Sequence, residues 1–151
     1  MSTQPSLFAE SPEAAIAKLD NEILLMLIGQ SGGPLGLVLS EDEKNVLRAI
    51  RYRRGLANTI AIAELQQITK LSARQIKEVV RNLRINFRVP VGSSKRANAG
   101  GYYLIITPED RAAWVKDVLD QVRAELAVLR AAAGPQATLE LLGQLHMEAN
   151  S

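Results

Sequence analysis

The stretch from Ile60 to Ile106 constrains the fold more strongly than any other part of the chain. It begins with a short helical pattern, Ala61 to about Ile68, which a break at Thr69–Leu71 separates from a second helix. Ser72 is a suitable N-cap for that second helix, and Gln75, three residues later, completes a capping box. The sequence therefore predicts two helices joined by a tight turn.

The second helix is strongly amphipathic. Its apolar residues follow the i, i+3, i+4, i+7 spacing of a helix with one buried face, and they are Ile76, Val79, Val80 and Leu83. Its other face is polar and mostly basic, and comprises Arg74, Gln75, Lys77, Glu78, Arg81, Asn82 and Arg84. Such a face is poorly suited to a protein core and well suited to phosphates and base edges.

Two β-prone runs follow this helix, Arg88 to Val91 and Tyr102 to Ile106. The loop between them, Gly92 to Gly101, is rich in glycine and basic, and we expect Asn58–Ile60 to add a short first strand. Two helices followed by a hairpin with a basic tip are typical of a winged helix-turn-helix. We therefore predict a mainly α fold with a small β-hairpin wing: a winged helix-turn-helix core plus N-terminal and long C-terminal helices.

The motifs of this region also resemble those of a known group of proteins. The run SARQIKEVVRNLRINFRVPVGSS, followed by GGYYLIITPED and a long helix, is similar to winged-helix proteins of phages and bacterial prophages. The resemblance covers about Glu41 to Arg130, and its most specific part is the combination of Val89–Ser94 with Gly101–Tyr103. It implies binding of duplex DNA. It leaves open whether the task is transcription, replication or packaging.

If the chain binds DNA in this way, the helix from Ser72 to Arg84 lies in the major groove. Gln and Asn can pair bidentately with adenine and Arg with guanine, so the candidates for base contacts are Arg74, Gln75, Glu78 and Asn82. The candidates for phosphate contacts are Lys77, Arg81, Arg84, Lys95 and Arg96. The hydroxyl groups of Ser72, Ser93 and Ser94 complete the predicted DNA-binding set.

The distribution of charge supports this location. The net charge is only +2, but residues 41–100 contain thirteen Lys or Arg and five Asp or Glu, a balance of +8. The rest of the chain has a balance of −6. A merely solvated helix face predicts mixed signs, as in the flanking regions, whereas a basic block is the pattern of a nucleic-acid footprint.

The N-terminal part of the chain reads as a leader, a helix and a linker. Residues 1–11 are expected to be disordered, and Gln4, Leu7 and Phe8 resemble the short motif that binds the bacterial sliding clamp. Alternatively, Leu7 and Phe8 pack on the neighbouring helix. That helix, residues 12–29, has an apolar face too wide for a lone surface helix, so it packs on the body of the protein or on a second copy. A linker, residues 30–39, follows.

The winged domain is predicted to span residues 40–106, and its first helix begins after Ser40, with Glu43 completing a second capping box. The end of that helix is basic. Arg51, Arg53 and Arg54 either reach backbone phosphates or are simply solvated, and the sequence does not favour one of these interpretations.

A long helix, residues 107–133, follows the wing. Its apolar residues are spaced 4, 3, 4, 3, 4, as in a coiled coil, and are Val115, Leu119, Val122, Leu126, Leu129 and Ala133. This is the fifth predicted helix in chain order, α5, and we call its apolar stripe the α5 seam. It predicts a homodimer or a higher homo-oligomer, and the alternative is that the helix folds back on its own domain. A last helix, residues 136–148, carries Leu139, Leu142 and Leu145.

No pattern of catalytic residues is present, so we predict a protein that is not an enzyme and needs neither cofactor nor metal. His146 is the only histidine, and near the end of the last helix we expect it to be solvated instead of serving as a triad base or building a metal site. Cysteine is absent, which excludes disulfides and thiolate metal sites. The N-terminus lacks a basic signal region and no apolar run is long enough to span a membrane. We expect a cytoplasmic, nucleoid-associated bacterial protein. The rival hypothesis is a protein-interaction module that binds a replication or packaging protein through its terminal helices.

Overall fold

A computed structural model of the chain describes residues 11–30, 36–95 and 100–150. Contacts divide the chain into two units, Met1–Arg111 and Ala112–Ser151. The elements in chain order are α1 (Pro12–Leu27), α2 (Glu41–Ile50), α3 (Ile62–Thr69), α4 (Ala73–Ile85), β1 (Val91–Ser94), β2 (Gly101–Leu104), α5 (Pro108–Ala133) and α6 (Pro135–Ala149). The predicted fold class, mainly α with a small β-hairpin wing, is confirmed.

Local capping fixes where α2 and α4 begin. The backbone N–H of Gln75 donates to Ser72 Oγ at 3.2 Å, and that of Ser72 donates to Gln75 Oε1 at 2.9 Å. The same reciprocal pair joins Ser40 and Glu43 at 3.2 and 2.9 Å. Both predicted capping boxes are present, and together they satisfy amides that have no partner inside the helix. Lys70 adopts a left-handed conformation with φ 62°, which ends α3 and forms the predicted turn.

The core of the first unit lies between α2, α3 and α4, which all pack on one another. Each helix contributes its apolar stripe, and the fully buried residues include Val46, Leu47, Ile50, Leu65, Ile76, Val80 and Leu83. Burying one such side chain stabilises the fold by about 1.5–3 kcal/mol. This packing leaves the polar side of α4 as a continuous outer face.

The helix α1 also packs on this core, which answers one of the questions that the sequence left open. Ile23, Met26 and Leu27 are buried, and α1 contacts α2. An ion pair between Asp20 and Arg54 adds a polar contact to the same packing. The apolar side of α1 is therefore covered largely by its own chain.

The first predicted strand is wrong in position, because β1 begins where the predicted run Arg88 to Val91 ends, whereas the second predicted run overlaps β2 from Tyr102 to Leu104. The observed pairing is antiparallel and joins Val91 to Leu104 and Ser94 to Gly101. Arg88 has φ 54° and Pro90 has no N–H to donate, so neither continues a β-ladder. Residues 86–90 instead form a turn after α4, in which the N–H of Val89 donates to the carbonyl of Leu83 at 2.9 Å.

The predicted first strand, Asn58–Ile60, is reduced to a single bridge within the described residues. Ile60 exchanges two backbone hydrogen bonds with Tyr102, at 2.8 and 2.9 Å. A second bridge joins Arg54 to Leu104. These bridges tie the outer edge of β2 to the segment between α2 and α3, so the wing is held against the helices although the sheet has only two strands.

Two glycines of the hairpin are required by close approach. A Cβ at Gly101 would lie 2.1 Å from the carbonyl oxygen of Ile60, and Gly101 also has φ 137°. A Cβ at Gly92 would lie 2.5 Å from the ring of Tyr103, its cross-strand partner. The spacing of glycine and tyrosine in this hairpin therefore has a steric cause.

The second unit contains the rest of α5 and all of α6. The first turn of α5 belongs to the first unit, where the N–H of Asp110 donates to Thr107 Oγ1 at 3.0 Å, as the predicted cap requires. The Asp110 carboxylate also accepts from the N–H of Leu56 at 3.2 Å. No residue of α5 or α6 is buried.

The close approach at Gly101 generates a stability prediction. Gly101→Ala should lower the free energy of unfolding by at least about 2 kcal/mol, because the new methyl group collides with the backbone and the backbone is strained. Urea unfolding monitored by circular dichroism measures this. Gly143→Ala in α6 is the control, since nothing lies within 4 Å of its Cβ, and it should keep or raise stability. Equal stability of Gly101→Ala and the unmodified protein would contradict the steric argument.

Candidate nucleic-acid interface

The outer face of α4 carries four charged side chains that are exposed to solvent, Arg74, Lys77, Glu78 and Arg81. Arg74 and Glu78 are one helical turn apart, and their Nε and Oε1 atoms lie 3.5 Å apart. An exposed pair of this kind is weak, so Arg74 is free to exchange its carboxylate partner for another acceptor. This face is the part of the predicted recognition surface that the fold leaves accessible.

The flank of α4 that faces the wing is basic. Lys77 lines a depression there together with Ser93 and Lys95 of the hairpin. The start of α3, residues 61–63, lines the same depression, and Ala61 provides no side-chain cap for the first amides of that helix. Two lysines and the positive end of a helix therefore converge on one place. The start of α3 is not part of the DNA-binding surface predicted from the sequence. The available signal is that no capping side chain precedes this helix.

The opposite flank of α4 is acidic. A second depression there is lined by Asp42 and Glu43 at the start of α2 and by Gln75, Glu78 and Asn82 of α4. The sequence predicts Glu43 only as part of a capping box. The position of Asp42 and Glu43 beside α4 shows that the two flanks of this helix differ in electrostatic character.

Two predicted base-reading residues have partners inside the protein. The side-chain amide of Asn82 donates to Glu43 Oε2, and its oxygen accepts from the amide of Asn86. Gln75 uses its Oε1 in the capping box with Ser72. Bidentate pairing with adenine uses both the oxygen and the nitrogen of an amide, so these internal partners compete with a base, and base contact by Gln75 and Asn82 stays a prediction.

Arg84 also differs from its predicted role, because its side chain turns towards the hairpin. Its Nε donates to the carbonyl of Val91 at 2.8 Å. Burial lowers the pKa of the Arg84 guanidinium, and the neighbouring Tyr102 and Tyr103 offset part of this effect. Burial likewise raises the pKa of Tyr102. Arg84 thus fastens α4 to β1 instead of extending the exposed basic face.

The remaining predicted residues lie on the wing or near α4. Ser72 caps α4, Ser93 is half-buried, Ser94 is buried and Lys95 is exposed. Arg96 lies outside the described residues, as do Gln4, Leu7 and Phe8 of the clamp-like motif. The contacts predicted for these four residues stay predictions.

The arginines after α2 are engaged with neighbouring side chains. Arg53 pairs with Glu64 at 3.0 Å, Arg54 pairs with Asp20, and the guanidinium of Arg51 lies 4.8 Å from the ring centre of Tyr52. The side chains of Arg53 and Arg54 are 33% and 35% exposed as well as paired, so both interpretations from the sequence stay open.

The described part of the chain shows neither a metal-holding cluster nor a membrane-spanning helix. No group of three His, Asp or Glu side chains there is arranged to hold a metal ion. None of the described helices combines the length and apolarity needed to cross a membrane.

Comparisons with known proteins add little to this description. No protein-family model and no curated protein sequence matches the chain. Among solved structures it is similar to that of BpsR from Bordetella bronchiseptica, whose DNA binding is regulated by 6-hydroxynicotinic acid. The two sequences are 13% identical, the alignment covers 98% of this chain and 99% of that one, and the TM-score is 0.35. A likeness of this size assigns the chain to no family.

Arg81 and Arg84, one helical turn apart, have different structural roles and form a matched pair for mutagenesis. Arg84→Ala should lower the free energy of unfolding by about 1–3 kcal/mol, because it leaves the Val91 carbonyl without its partner. Arg81→Ala should change it by no more than about 0.5 kcal/mol, because Arg81 is exposed. Chemical denaturation of both variants measures the difference. Equal losses would contradict the assignment of Arg84 to the interior.

Proposed function

We propose that this protein binds double-stranded DNA sequence-specifically, as a non-enzymatic regulator of transcription or an origin-binding protein of bacterial or phage type. The observation that carries the proposal is the basic flank of α4, where Lys77 and Lys95 line one depression beside the exposed Arg74 and Arg81. Phosphate oxygens accept hydrogen bonds from lysine, from arginine and from helix N-termini. Two lysines and a helix N-terminus line the depression, and the arginines lie on the adjoining outer face of α4.

The acidic flank sets the orientation of the proposed complex. Asp42, Glu43 and Glu78 line the far side of α4, and carboxylates repel the phosphate backbone. The DNA backbone therefore runs past the wing and the start of α3, and the outer face of α4 enters the major groove. Arg74 is the side chain best placed to read a base, because its side chain is 90% exposed and its ion pair with Glu78 is weak enough to be exchanged.

The second candidate is a protein-interaction module, in which the winged unit is a scaffold and the terminal helices bind a partner. The exposed apolar residues of α5 and α6 favour this alternative. The two functions differ in their response to salt. Binding through several phosphate contacts weakens steeply as the salt concentration rises, whereas an apolar protein interface changes little.

Selection of bound sequences from random duplex DNA tests the proposal directly. The unmodified protein should enrich a defined motif. The Arg74→Ala variant should lose its base preference at one position of that motif, at a cost of about 1–3 kcal/mol, because a bidentate contact to guanine is removed. Arg48→Ala is the control, since Arg48 lies on α2 and hydrogen-bonds Asn45 at 3.0 Å. Enrichment of no motif by the unmodified protein would contradict sequence-specific binding.

The basic depression generates a separate prediction about salt. Replacing both Lys77 and Lys95 with Ala should weaken binding to all duplexes alike, because phosphate contacts do not depend on sequence. The slope of log affinity against log salt should fall by up to about 1.8, the value for two phosphates. Titration of labelled duplex at several salt concentrations measures it, again with Arg48→Ala as the control. An unchanged slope would show that the depression does not face DNA.

A further inference from the structure

The second unit exposes large apolar side chains to solvent on both of its helices. On α5, Val115, Leu119 and Val122 are 47%, 46% and 43% exposed. On α6, Leu139 and Leu145 are 63% and 50% exposed. A large contiguous apolar surface of this kind marks an interaction site.

The two helices of this unit do not cover each other. A single residue, Gly134, separates the end of α5 at Ala133 from the start of α6 at Pro135. Antiparallel pairing of two helices needs a connection of about 2–5 residues. The chain therefore turns from one helix to the next without folding α6 along α5, and the α5 seam stays open.

The seam fits a second copy of this chain. We propose that α5 forms a parallel, two-stranded coiled coil with α5 of a second copy. The 4, 3 spacing places Leu119, Leu126 and Ala133 at the a positions of a heptad and Val115, Val122 and Leu129 at the d positions. A heptad repeat keeps the same face turned towards a partner helix along its whole length.

The residues beside the seam limit the number of strands. The e positions are Lys116, Arg123 and Arg130, all charged, and their side chains cannot enter the wider core that four strands need. Valine at d fits a two-stranded core less well than leucine does. The three basic e positions outweigh this effect, because burying any one of them costs more than an imperfect fit of valine.

The same charges set the orientation. In a parallel pair, residues at g face e residues of the other copy, so Glu125 lies beside Arg130 of the second copy, and this attraction occurs twice by symmetry. In an antiparallel pair, e positions face e positions, so the three basic residues oppose one another. Arg111 and Lys116 also meet in the parallel pair, but Lys116 Nζ already contacts Asp120 of its own helix at 2.9 Å, which offsets that repulsion.

A parallel pair has a consequence for DNA binding that rests on the proposed function. Since Arg111 directly precedes the second unit in the chain, parallel pairing brings the N-terminal ends of both α5 helices together. Two copies of α4 would then read two half-sites related by two-fold symmetry. The preferred DNA sequence should be an inverted repeat.

Disulfide crosslinking tests the orientation without DNA, and the natural absence of cysteine makes single-cysteine variants unambiguous. In a parallel pair each seam residue faces the same residue of the second copy, so Leu119→Cys and Leu129→Cys should each form a covalent dimer on oxidation. In an antiparallel pair centred on the seam, these two positions face each other, so only a mixture of the two variants would crosslink. Asp117→Cys, at an f position on the outside of the coil, is the control and should stay monomeric on a denaturing gel.

Each outcome decides the proposal. Covalent dimers of both single variants support it. Crosslinking only in the mixture, no crosslinking, or equal crosslinking of the outer control overturns it. Because no DNA is present, failure here is independent of failure of DNA binding.

Charge reversal keeps the test valid if the cysteine variants fail to fold. Glu125→Arg replaces two attractive contacts with repulsive ones and should raise the dimer dissociation constant on the order of ten-fold, measured by sedimentation. Adding Arg130→Glu should restore it. Leu126→Glu, which places a charge in the seam itself, should give a folded monomer. A monomeric unmodified protein at micromolar concentration, or no rescue by the double variant, would overturn the proposal.

Discussion

The structure of the first unit depends on the burial of one stripe of α4. Ile76, Val80 and Leu83 are buried among α2, α3 and the hairpin, and together contribute roughly 5–9 kcal/mol. Turning the helix about its axis would expose them. Because successive residues of a helix are about 100° apart, fixing this stripe also fixes the direction of every polar residue on α4. The functional face is thus a consequence of core packing.

With the stripe fixed, the polar residues of α4 fall into three groups. Lys77 and Arg84 point to the wing, Arg74 and Arg81 point outwards, and Asn82 points to the acidic start of α2. Elements before and after α4 in the chain therefore give its two flanks opposite charge. A basic helix on its own would attract DNA from any side. In the proposed complex the carboxylates of α2 would restrict the approach of DNA to the wing side, so electrostatics would contribute orientation as well as affinity.

Local rules predicted the elements well and the partners of their side chains poorly. Both capping boxes, the turn before α4 and the amphipathic stripe depend on residues within one or two helical turns, and all were readable from the sequence. β1 begins at Val91 instead of Arg88, because Arg88 has a left-handed backbone that its residue type does not predict. The hydrogen bond between Asn82 and Glu43 cannot be predicted by local rules, because the two residues are 39 positions apart.

Gln75 has two predicted roles that use the same oxygen atom. Its Oε1 accepts from the Ser72 N–H in the capping box, and base reading would use the second lone pair of that oxygen. Such a competition between two local predictions can be detected without a structure, by asking which atom each one needs. Arg84 could not be resolved in this way, because its acceptor is a backbone carbonyl of a strand whose position was itself mispredicted.

The number of exposed basic side chains on α4 limits how well one copy of this chain could distinguish its proposed site from other DNA. Arg74, Lys77 and Arg81 are its accessible basic residues, and the two arginines can each read guanine bidentately, for about 1–3 kcal/mol per base. Two such contacts distinguish a site from random DNA by about 30- to 25,000-fold, far below the roughly 10⁶–10⁹ competing sites of a genome. A second copy held rigidly beside the first would double the discriminating free energy and so square this ratio. In the proposed dimer the α5 seam supplies that second copy, while Gln75, Asn82 and Arg84 make contacts within the first unit.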